Sequence, residues 1–372
     1  MVQPEIRRVL LVSTPVGPLG SGRGGGVELT IQNIAGELIR RGYQVRVMAP
    51  EGSQLVGIPV IWVPGEAQPY AQYQGRDAPV LMPANSVLGA MWEAAGRLQG
   101  EVDLIVNFAY DWLPLYLTDL FRTPVLHLIS MGSLNDALDA VAATVARRYP
   151  ERLAVHTRAQ AATFPAEVAA RMRVVSSGLD LGLYPFNVWP EQRLCWVGRI
   201  APEKGLEDAL AVAQATVIDL DICGTLQDER YWAAIRREFP DAPINYRGFL
   251  PTAELAAVIG GSRALLMTPK WVEAFGNVAI EALACGTPVI AYRRGGPTEI
   301  VEHGRTGWLV EPDSVPGLIE AVGWLDGLDR GACRAQAERQ YSLAALGERI
   351  GWWFDAALVA TRQPEHAHAA DP

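Results

Sequence analysis

Cysteine, histidine and lysine are scarce among the 372 residues of this chain, and each scarcity excludes a class of site. The four cysteines lie far apart in apolar stretches and form no Cys-x-x-Cys pair, which argues against disulfides and zinc ligands. The five histidines form no convincing cluster, so we expect no metal site. Of the 32 basic residues only two are lysines, Lys204 and Lys270, and both stand inside motifs that favour ligand binding.

Positive charge and long apolar runs are lacking as well. The net charge of −9 argues against nucleic acid and against an anionic membrane surface as partners, because both attract basic patches. No apolar run approaches the ~20 residues that a membrane-spanning helix needs. The hydrophobic content of 49% is ample for large cores, and at ~150 residues per domain the length predicts two domains. We therefore expect a soluble, cytoplasmic, two-domain protein.

Short apolar runs alternate with amphipathic helical patterns along the whole chain. This alternation is typical of α/β proteins whose parallel strands form a doubly wound sheet. It includes one helix predicted over 158–171, and it restarts after a stretch rich in turn residues. We place the domain boundary at 182, which gives Rossmann-like domains over 1–182 and 183–349 that face each other across a cleft. A helix at about 350–362 is expected to pack back on the first domain.

A glycine-rich loop follows the first predicted strand and admits two interpretations. Gly20, Gly22 and Gly25 match Gly-x-Gly-x-x-Gly, and Glu51 stands where a ribose-binding acid would follow, which suggests an NAD-dependent oxidoreductase. The loop runs for about a dozen residues, however, whereas that fingerprint needs a tight turn from strand to helix. The other interpretation is a loop whose last glycines let backbone amides approach an anion at a helix N-terminus.

The segment 196–205 places two cations on one strand-end loop, because Arg199 and Lys204 are five residues apart. A guanidinium fork and an ammonium point charge together suit a diphosphate, whereas surface salt bridges are the plainer alternative. As a cation on a surface loop, Lys204 is expected to contribute little to stability.

Residues 269–288 hold two glutamates eight positions apart, Glu273 before a predicted helix and Glu281 about two turns along it. Two carboxylates in one pocket accept pairs of hydroxyl hydrogen bonds, so this spacing suits a sugar and a ribose. Gly276 leaves backbone amides accessible at the helix start, which suits a phosphate or sugar hydroxyls. Glu299 in the next loop is a weaker candidate and more typical of a helix-start acid.

Together these motifs resemble the retaining nucleotide-sugar glycosyltransferases of family 4, which have the GT-B fold. The resemblance rests on VGRIAPEKG (197–205) and EAFGNVAIEALACGTPVIA (273–291), and it extends over essentially the whole chain. It implies that Arg199 and Lys204 hold the diphosphate and stabilise the departing nucleotide. It also implies that Glu273 contacts the donor sugar and Glu281 the ribose.

The same resemblance implies a set of donor contacts and no cofactor. A UDP-sugar is expected as a substrate, and the scheme needs no obligatory metal. Asp219-Leu-Asp221 matches a metal-binding pattern but lies in an apolar strand, and we interpret it as structural. The expected donor-binding residues are Gly25, Gly26, Gly198, Arg199, Lys204, Gly248, Phe249, Phe275, Gly276, Asn277, Val278 and Glu281.

The acceptor is expected on the first domain, where the chain departs from the family pattern. The sugar-contacting histidine of many family members has no clear counterpart in the segment 107–112. Asp111 is therefore the candidate to orient the acceptor or to accept its proton, and His127 is predicted to be a core residue. The predicted catalytic residues are Arg199, Lys204, Glu273 and Asp111. The predicted acceptor-binding residues are Gly24, Asn107, Tyr110, Asp111 and Trp112.

The segment STPVGPLGSGRGGGVELT (13–30) particularly resembles cyanobacterial UDP-glucose:tetrahydrobiopterin glucosyltransferases. Aromatic residues nearby, Tyr70 and Tyr73 among them, favour a flat acceptor. The expected function is transfer of glucose from UDP-glucose to a hydroxyl of a small acceptor such as tetrahydrobiopterin. Another small or lipid-linked acceptor, a sugar-nucleotide sensor without turnover, and the NAD-dependent oxidoreductase remain as alternatives.

Overall fold

The alternating apolar runs and amphipathic helices fold into two parallel sheets, each inside its own unit. The computed structural model describes residues 8–21, 25–69 and 75–362. The first unit holds the chain up to Ser176 and takes it up again from Leu346, and the second unit is Ser177–Ala345. The division thus lies before the boundary predicted at 182.

Seven strands among the described residues form the sheet of the first unit. They are β1 (Arg8–Val12), β2 (Gln44–Pro50), β3 (Val60–Val63), β4 (Leu104–Asn107), β5 (Val125–Ile129), β6 (Leu153–Val155) and β7 (Arg173–Val174). The order is β3-β2-β1-β4-β5-β6-β7, and every neighbouring pair is parallel. The connecting helices are α1 (Gly26–Arg40), α2 (Val87–Leu98), α3 (Trp112–Tyr116), α4 (Asp136–Arg148), α5 (Arg158–Ala161) and α6 (Ala166–Ala169).

The second unit, all of whose residues are described, has a six-stranded parallel sheet. Its strands are β8 (Arg193–Val197), β9 (Asp219–Cys223), β10 (Ile244–Gly248), β11 (Ala264–Met267), β12 (Val289–Tyr292) and β13 (Gly307–Val310), in the order β10-β9-β8-β11-β12-β13. Its helices are α7 (Leu206–Thr216), α8 (Glu229–Glu238), α9 (Thr252–Gly261), α10 (Asn277–Ala284), α11 (Pro297–Ile300), α12 (Val315–Gly323) and α13 (Arg330–Gln340). The central strands are buried apolar runs, as a sheet covered on both faces requires.

In both sheets the strand order reverses at one position, between β1 and β4 in the first and between β8 and β11 in the second. The connections lead away on either side of this position, so the loops after the two neighbouring strands diverge at the carboxyl edge. Ligands of open α/β sheets bind in that crevice. The loops after these four strands are therefore where the fold positions a site in each unit.

The structure corrects two details of the first unit. The helix predicted over 158–171 is two short helices, because Pro165 interrupts the chain of backbone donors between α5 and α6. The strand β6 was not predicted, since the three residues Leu-Ala-Val between Arg152 and His156 are too few to show a pattern.

The last helix, α14 (Leu343–Arg362), completes the core of the first unit from Leu346 onward. Ile350, Trp353 and Phe354 are buried in a cluster with residues of β1, β2 and α1. Trp353 Nε1 also donates a hydrogen bond to the Glu151 carbonyl at 2.6 Å. No helix in the described ranges, α14 included, combines the length and apolar character needed to cross a bilayer.

The packing of α14 predicts that two nearby aromatic residues contribute very differently to the free energy of unfolding. Phe354 is 1% exposed, so Phe354→Ala leaves a cavity and should lower the free energy of unfolding by about 3–5 kcal/mol. Trp352 on the same helix is 69% exposed, so Trp352→Ala should change it by less than about 0.5 kcal/mol. Urea unfolding followed by circular dichroism measures both. Equal losses in the two variants would contradict the packing described for α14.

Candidate active site

The predicted donor motifs lie in the loops that follow β8 and β11, the two strands at the switch point of the second sheet. Arg199 and Lys204 follow β8, and the segment 270–275 follows β11. The two loops approach closely, because a Cβ atom on Gly205 would lie 2.0 Å from the Thr268 carbonyl oxygen. The fold therefore brings two motifs together that are some seventy positions apart in sequence.

An ion pair joins the two loops. Lys204 Nζ lies 2.5 Å from Glu273 Oε2, and the two side chains are only 19% and 15% exposed. Trp271 Nε1 donates a hydrogen bond to the same Glu273 oxygen at 3.1 Å. The Lys204 ammonium also lies 4.9 Å from the centre of the Trp271 ring. Trp271 thus holds both partners, one by a hydrogen bond and the other by a cation–π contact. Its role was not predicted from the sequence.

The charge on Glu273 is set by its surroundings. Burial alone would raise the pKa of this carboxyl, but the charge and hydrogen bond of Lys204, with Trp271 and Arg199, hold the pKa below its ordinary value. Glu273 is therefore an ionised hydrogen-bond acceptor. The expectation that Lys204 is a surface cation of little structural consequence is wrong, because its removal would leave a mostly buried carboxylate unpaired.

Arg199 is held in place on the loop after β8 by two side chains. One terminal nitrogen lies 3.2 Å from Glu203 Oε1, and the other donates to the side-chain carbonyl of Gln227. These contacts fix the plane of the guanidinium, which is the geometry that recognises a phosphate through two parallel hydrogen bonds. Since Arg199 also lowers the pKa of Glu273, its positive charge adds to that of Lys204 at this edge.

The start of α10 supplies a second source of positive potential. Gly276 immediately precedes the helix with a φ of 95°, in the left-handed region. Gly295 and Gly296 pack against the same backbone, since a Cβ atom on them would lie 2.3 and 2.1 Å from the carbonyl oxygens of Glu273 and Phe275. This close packing, which the sequence analysis missed, fixes the loop that enters α10. The helix dipole then favours an anion at that end.

Glu281 lies on α10 and is only 7% exposed. Burial raises the pKa of Glu281 to about 7, although the Tyr184 hydroxyl, which donates to Oε1 at 3.1 Å, offsets part of that rise. Further hydrogen-bond donors would stabilise the ionised form of this buried carboxyl, and the hydroxyls of a ribose are such donors. Tyr184 was not predicted, because it precedes Glu281 by nearly a hundred positions.

The remaining predicted donor residues of the second unit occupy the same carboxyl edge of its sheet or the start of α10. Gly198 directly follows β8, and Gly248 ends β10 with a φ of 70°. Phe249 comes next and is 69% exposed, which leaves its ring accessible to a nucleotide base. Phe275 is buried, and Asn277 and Val278 open α10.

The second lysine, Lys270, is committed to the fold. Its ammonium donates to the Asp208 carboxylate and lies 3.2 Å from Asp313 Oδ1. Tyr292 donates to the same Asp208 carboxylate, and Arg294 pairs with Asp313 at 2.5 Å. Lys270 therefore belongs to a structural network, and the scarcity of lysine does not mark a ligand site at this position.

Asp221 is structural, as predicted. Its side chain is fully buried and accepts hydrogen bonds from Arg193 at 2.9 Å and Arg247 at 3.0 Å. Asp219, the other acid of the pattern, is exposed at the start of β9. Among the described residues no group of three or more His, Cys, Asp and Glu side chains is arranged to hold a metal ion.

The glycine-rich loop of the first unit does not form a dinucleotide fingerprint. β1 ends at Val12 and α1 begins at Gly26, so the strand does not feed the helix through a tight turn. Gly25 precedes α1 with a φ of 58°, and the helix N-terminus favours an anion. Glu51 is exposed. Predicted residues that lie outside the described ranges are Gly22, Gly24, Tyr70 and Tyr73.

Asn107 requires a correction. It is 1% exposed at the end of β4, where its amide nitrogen donates to the Ala109 carbonyl at 2.9 Å and lies 3.1 Å from His127 Nδ1. Its amide oxygen accepts from the Ala109 N–H at 3.0 Å. His127 is buried, with its other nitrogen 2.9 Å from Thr118 Oγ1. The side chain of Asn107 therefore orders the turn after β4 and the core and does not reach an acceptor.

Tyr110, Asp111 and Trp112, by contrast, line a surface pocket of the first unit. The Tyr110 hydroxyl accepts the Leu134 N–H at 2.7 Å, which fixes one wall. Trp112 stacks on Tyr116 with 4.3 Å between ring centres. Burial raises the pKa of Asp111 to about 6, although backbone N–H groups at the start of α3 oppose the rise. Such a carboxyl can accept a proton near neutral pH.

Comparison with known proteins relates these features to a family. The model described as "Glycosyl transferases group 1" matches residues 190–328. D-inositol 3-phosphate glycosyltransferase of Corynebacterium efficiens is 30% identical over 360 residues, which cover 82% of this chain and 83% of that protein.

Two solved structures share the whole fold. Anabaena HepE, in complex with UDP and glucose, is 19% identical with a TM-score of 0.74, over 94% of this chain and 100% of its own. Sucrose-phosphate synthase from Thermosynechococcus elongatus is 19% identical with a TM-score of 0.74, over 95% of this chain and 100% of its own. At these identities the two likenesses concern the fold.

The raised pKa of Glu281 predicts a pH-dependent gain in stability for Glu281→Gln. The unfolded state loses this proton near pH 4.5, whereas the folded state keeps it to about pH 7. The wild-type protein therefore loses stability relative to the variant as the pH rises through this window, by at most on the order of 3 kcal/mol. Urea unfolding at pH 5 and pH 8 measures the difference.

The matched control is Glu320→Gln, on the exposed side of α12. Its effect on stability should be small at both values of pH. A Glu281→Gln effect that is the same at pH 5 and pH 8 would contradict the buried charge at this position.

Proposed function

This chain belongs to the group 1 glycosyltransferases, and from that premise we propose that it transfers glucose from UDP-glucose to a hydroxyl of a small acceptor, with retention of anomeric configuration. Its fold is GT-B, as the motifs predicted, and it is an enzyme that takes a sugar from a nucleotide sugar. The identity of the sugar, the stereochemistry, the acceptor and the residue roles are the proposed part.

The partly buried Lys204–Glu273 pair, with the charge of Arg199 beside it, carries this proposal. When the glycosidic bond breaks, negative charge develops on the departing diphosphate. Cations held in place before the reaction stabilise that charge without reorganising, which is where most of the rate enhancement would arise. Because Arg199 and Lys204 supply this charge, we propose that no metal ion is obligatory. The acceptor hydroxyl would attack from the face of the leaving group.

The donor side is completed by carboxylates. Glu273, ionised beside Lys204, would accept hydroxyl hydrogen bonds from the sugar, and Glu281 would accept them from the ribose. Gly25 and Gly26 would approach the phosphates at the start of α1. HepE shares this fold and its crystal contains UDP and glucose, which supports a UDP-sugar as the donor.

On the acceptor side we propose Asp111 as the group that orients the attacking hydroxyl or accepts its proton. Its pKa of about 6 leaves it ionised at neutral pH yet basic enough to receive a proton. The aromatic wall formed by Trp112 and the resemblance of the segment 13–30 support a pterin, tetrahydrobiopterin, as the acceptor. A second candidate is the D-inositol 3-phosphate of the Corynebacterium relative.

The test is an anaerobic incubation of the protein with UDP-glucose and either tetrahydrobiopterin or D-inositol 3-phosphate. Mass spectrometry detects a hexosyl conjugate, and a coupled assay measures the UDP released. We expect a hexosyl-pterin and one UDP per conjugate, with no conjugate of the inositol phosphate. Addition of EDTA should leave the rate unchanged.

The alternative outcomes separate the parts of the proposal. UDP release with the inositol conjugate would retain the UDP-glucose donor and replace the acceptor. UDP release that stops on addition of EDTA would contradict the metal-independent scheme. Absence of UDP release with both acceptors, together with no calorimetric binding of UDP-glucose, would contradict the donor.

A further inference from the structure

The surface pocket beside Asp111 contains a polar side chain, Gln68, whose amide group makes no hydrogen bond to the described part of the chain. Gln68 lines the pocket and is only 5% exposed, yet neither its amide nitrogen nor its amide oxygen has a hydrogen-bond partner among the described residues. Its backbone is fixed by a hydrogen bond from its N–H to the Pro15 carbonyl at 3.0 Å. Burying an amide without partners costs about 1–3 kcal/mol. A buried polar group without a partner requires an explanation, and a ligand that completes its hydrogen bonds would supply one.

The chemistry of the pocket defines what would complete them. A primary amide presents one donor and one acceptor side by side, so its complement is another amide in the cis arrangement, as in a lactam ring. Pro69, Leu81 and Trp112 contribute apolar walls. Apolar walls with a few polar groups that fix orientation are typical of a pocket for a small, flat ring.

The charges of the described residues around the pocket disfavour a phosphate. The described residues that line it include Asp111 but no lysine or arginine. Arg76 lies just before the pocket residues Pro79 and Leu81 in the chain, but its guanidinium is paired with Asp136 and Asp139, each at 2.7 Å. An anion placed here would lose its hydration without gaining a countercharge, and Asp111 would repel it. A phosphorylated polyol, the acceptor named for the Corynebacterium relative, does not fit this chemistry.

We propose that Gln68 is a specificity-determining residue of the acceptor site, which takes a neutral, flat heterocycle through hydrogen bonds between the Gln68 amide and a lactam edge of the ring. The transferase activity proposed above gives this ring its role as acceptor, but binding to the pocket is independent of turnover. The two can therefore be tested separately.

Isothermal titration calorimetry tests the inference with two probes, biopterin, an air-stable lactam heterocycle, and D-inositol 3-phosphate. The variant is Gln68→Met, which keeps the volume and removes both amide atoms. The wild type should bind biopterin and not the inositol phosphate. The variant should bind biopterin tenfold to a hundredfold more weakly, as expected for the loss of two hydrogen bonds. The affinity for UDP-glucose should not change.

Thermal unfolding separates ligand binding from a structural role. A glutamine that stabilised the fold would lower the melting temperature when replaced, whereas Gln68→Met should leave it unchanged or raise it. Gln214→Met is the matched control, because Gln214 also has a buried amide oxygen without a partner but lies in the second unit. It should alter neither probe's binding.

Equal biopterin affinity in the wild type and Gln68→Met would overturn the inference, as would binding of the inositol phosphate or failure of the wild type to bind biopterin. If UDP-glucose binds while biopterin does not, the inference fails and the donor proposal stands. If biopterin binds through Gln68 while UDP-glucose does not bind, the donor proposal fails and the inference stands.

Discussion

The ion pair between Lys204 and Glu273 holds together the two loops at the switch point of the second sheet, and the candidate site depends on it. Two loops that follow neighbouring strands meet there, and a mostly buried carboxylate can lie between them only because an ammonium lies 2.5 Å away. Trp271 contacts both partners, and Gly295 and Gly296 allow the backbone of the Glu273 loop to pack closely. Without the ion pair, Trp271 would lose one of its two contacts and the Glu273 carboxylate would lose its countercharge.

Three groups, one in the second unit and two in the first, weaken the fold. Glu281 is buried with a raised pKa, the buried Gln68 amide has no hydrogen-bond partner among the described residues, and the charge of Asp111 is partly desolvated. None of them is explained by stability, since an apolar residue of similar size would be tolerated better. Groups of this kind are often retained at functional sites, and the proposed ribose and acceptor contacts use all three of them.

Sequence patterns were sufficient for the described strands except β6, but not for the environment of each side chain. Apolar runs predicted β8 and β11, and the motifs that contain Arg199, Lys204 and Glu273 could be recognised from the sequence alone. The pairing of Lys204 with Glu273 could not be predicted, because an ion pair between residues about seventy positions apart leaves no local sequence pattern. For the same reason Asn107 was expected in the acceptor site although it bonds in the core, and Gln68, in an irregular segment without periodicity, was overlooked.

The most direct test of this account is the affinity of UDP and of uridine for the wild type, Lys204→Ala and Lys270→Ala. If Lys204 holds the diphosphate, its removal should weaken UDP about tenfold to a hundredfold while uridine changes little. Lys270→Ala removes the other lysine, also paired with acids in this unit, and should leave both affinities unchanged in the folded protein. Equal losses for UDP and uridine in Lys204→Ala, or no loss at all, would contradict the central role given to Lys204.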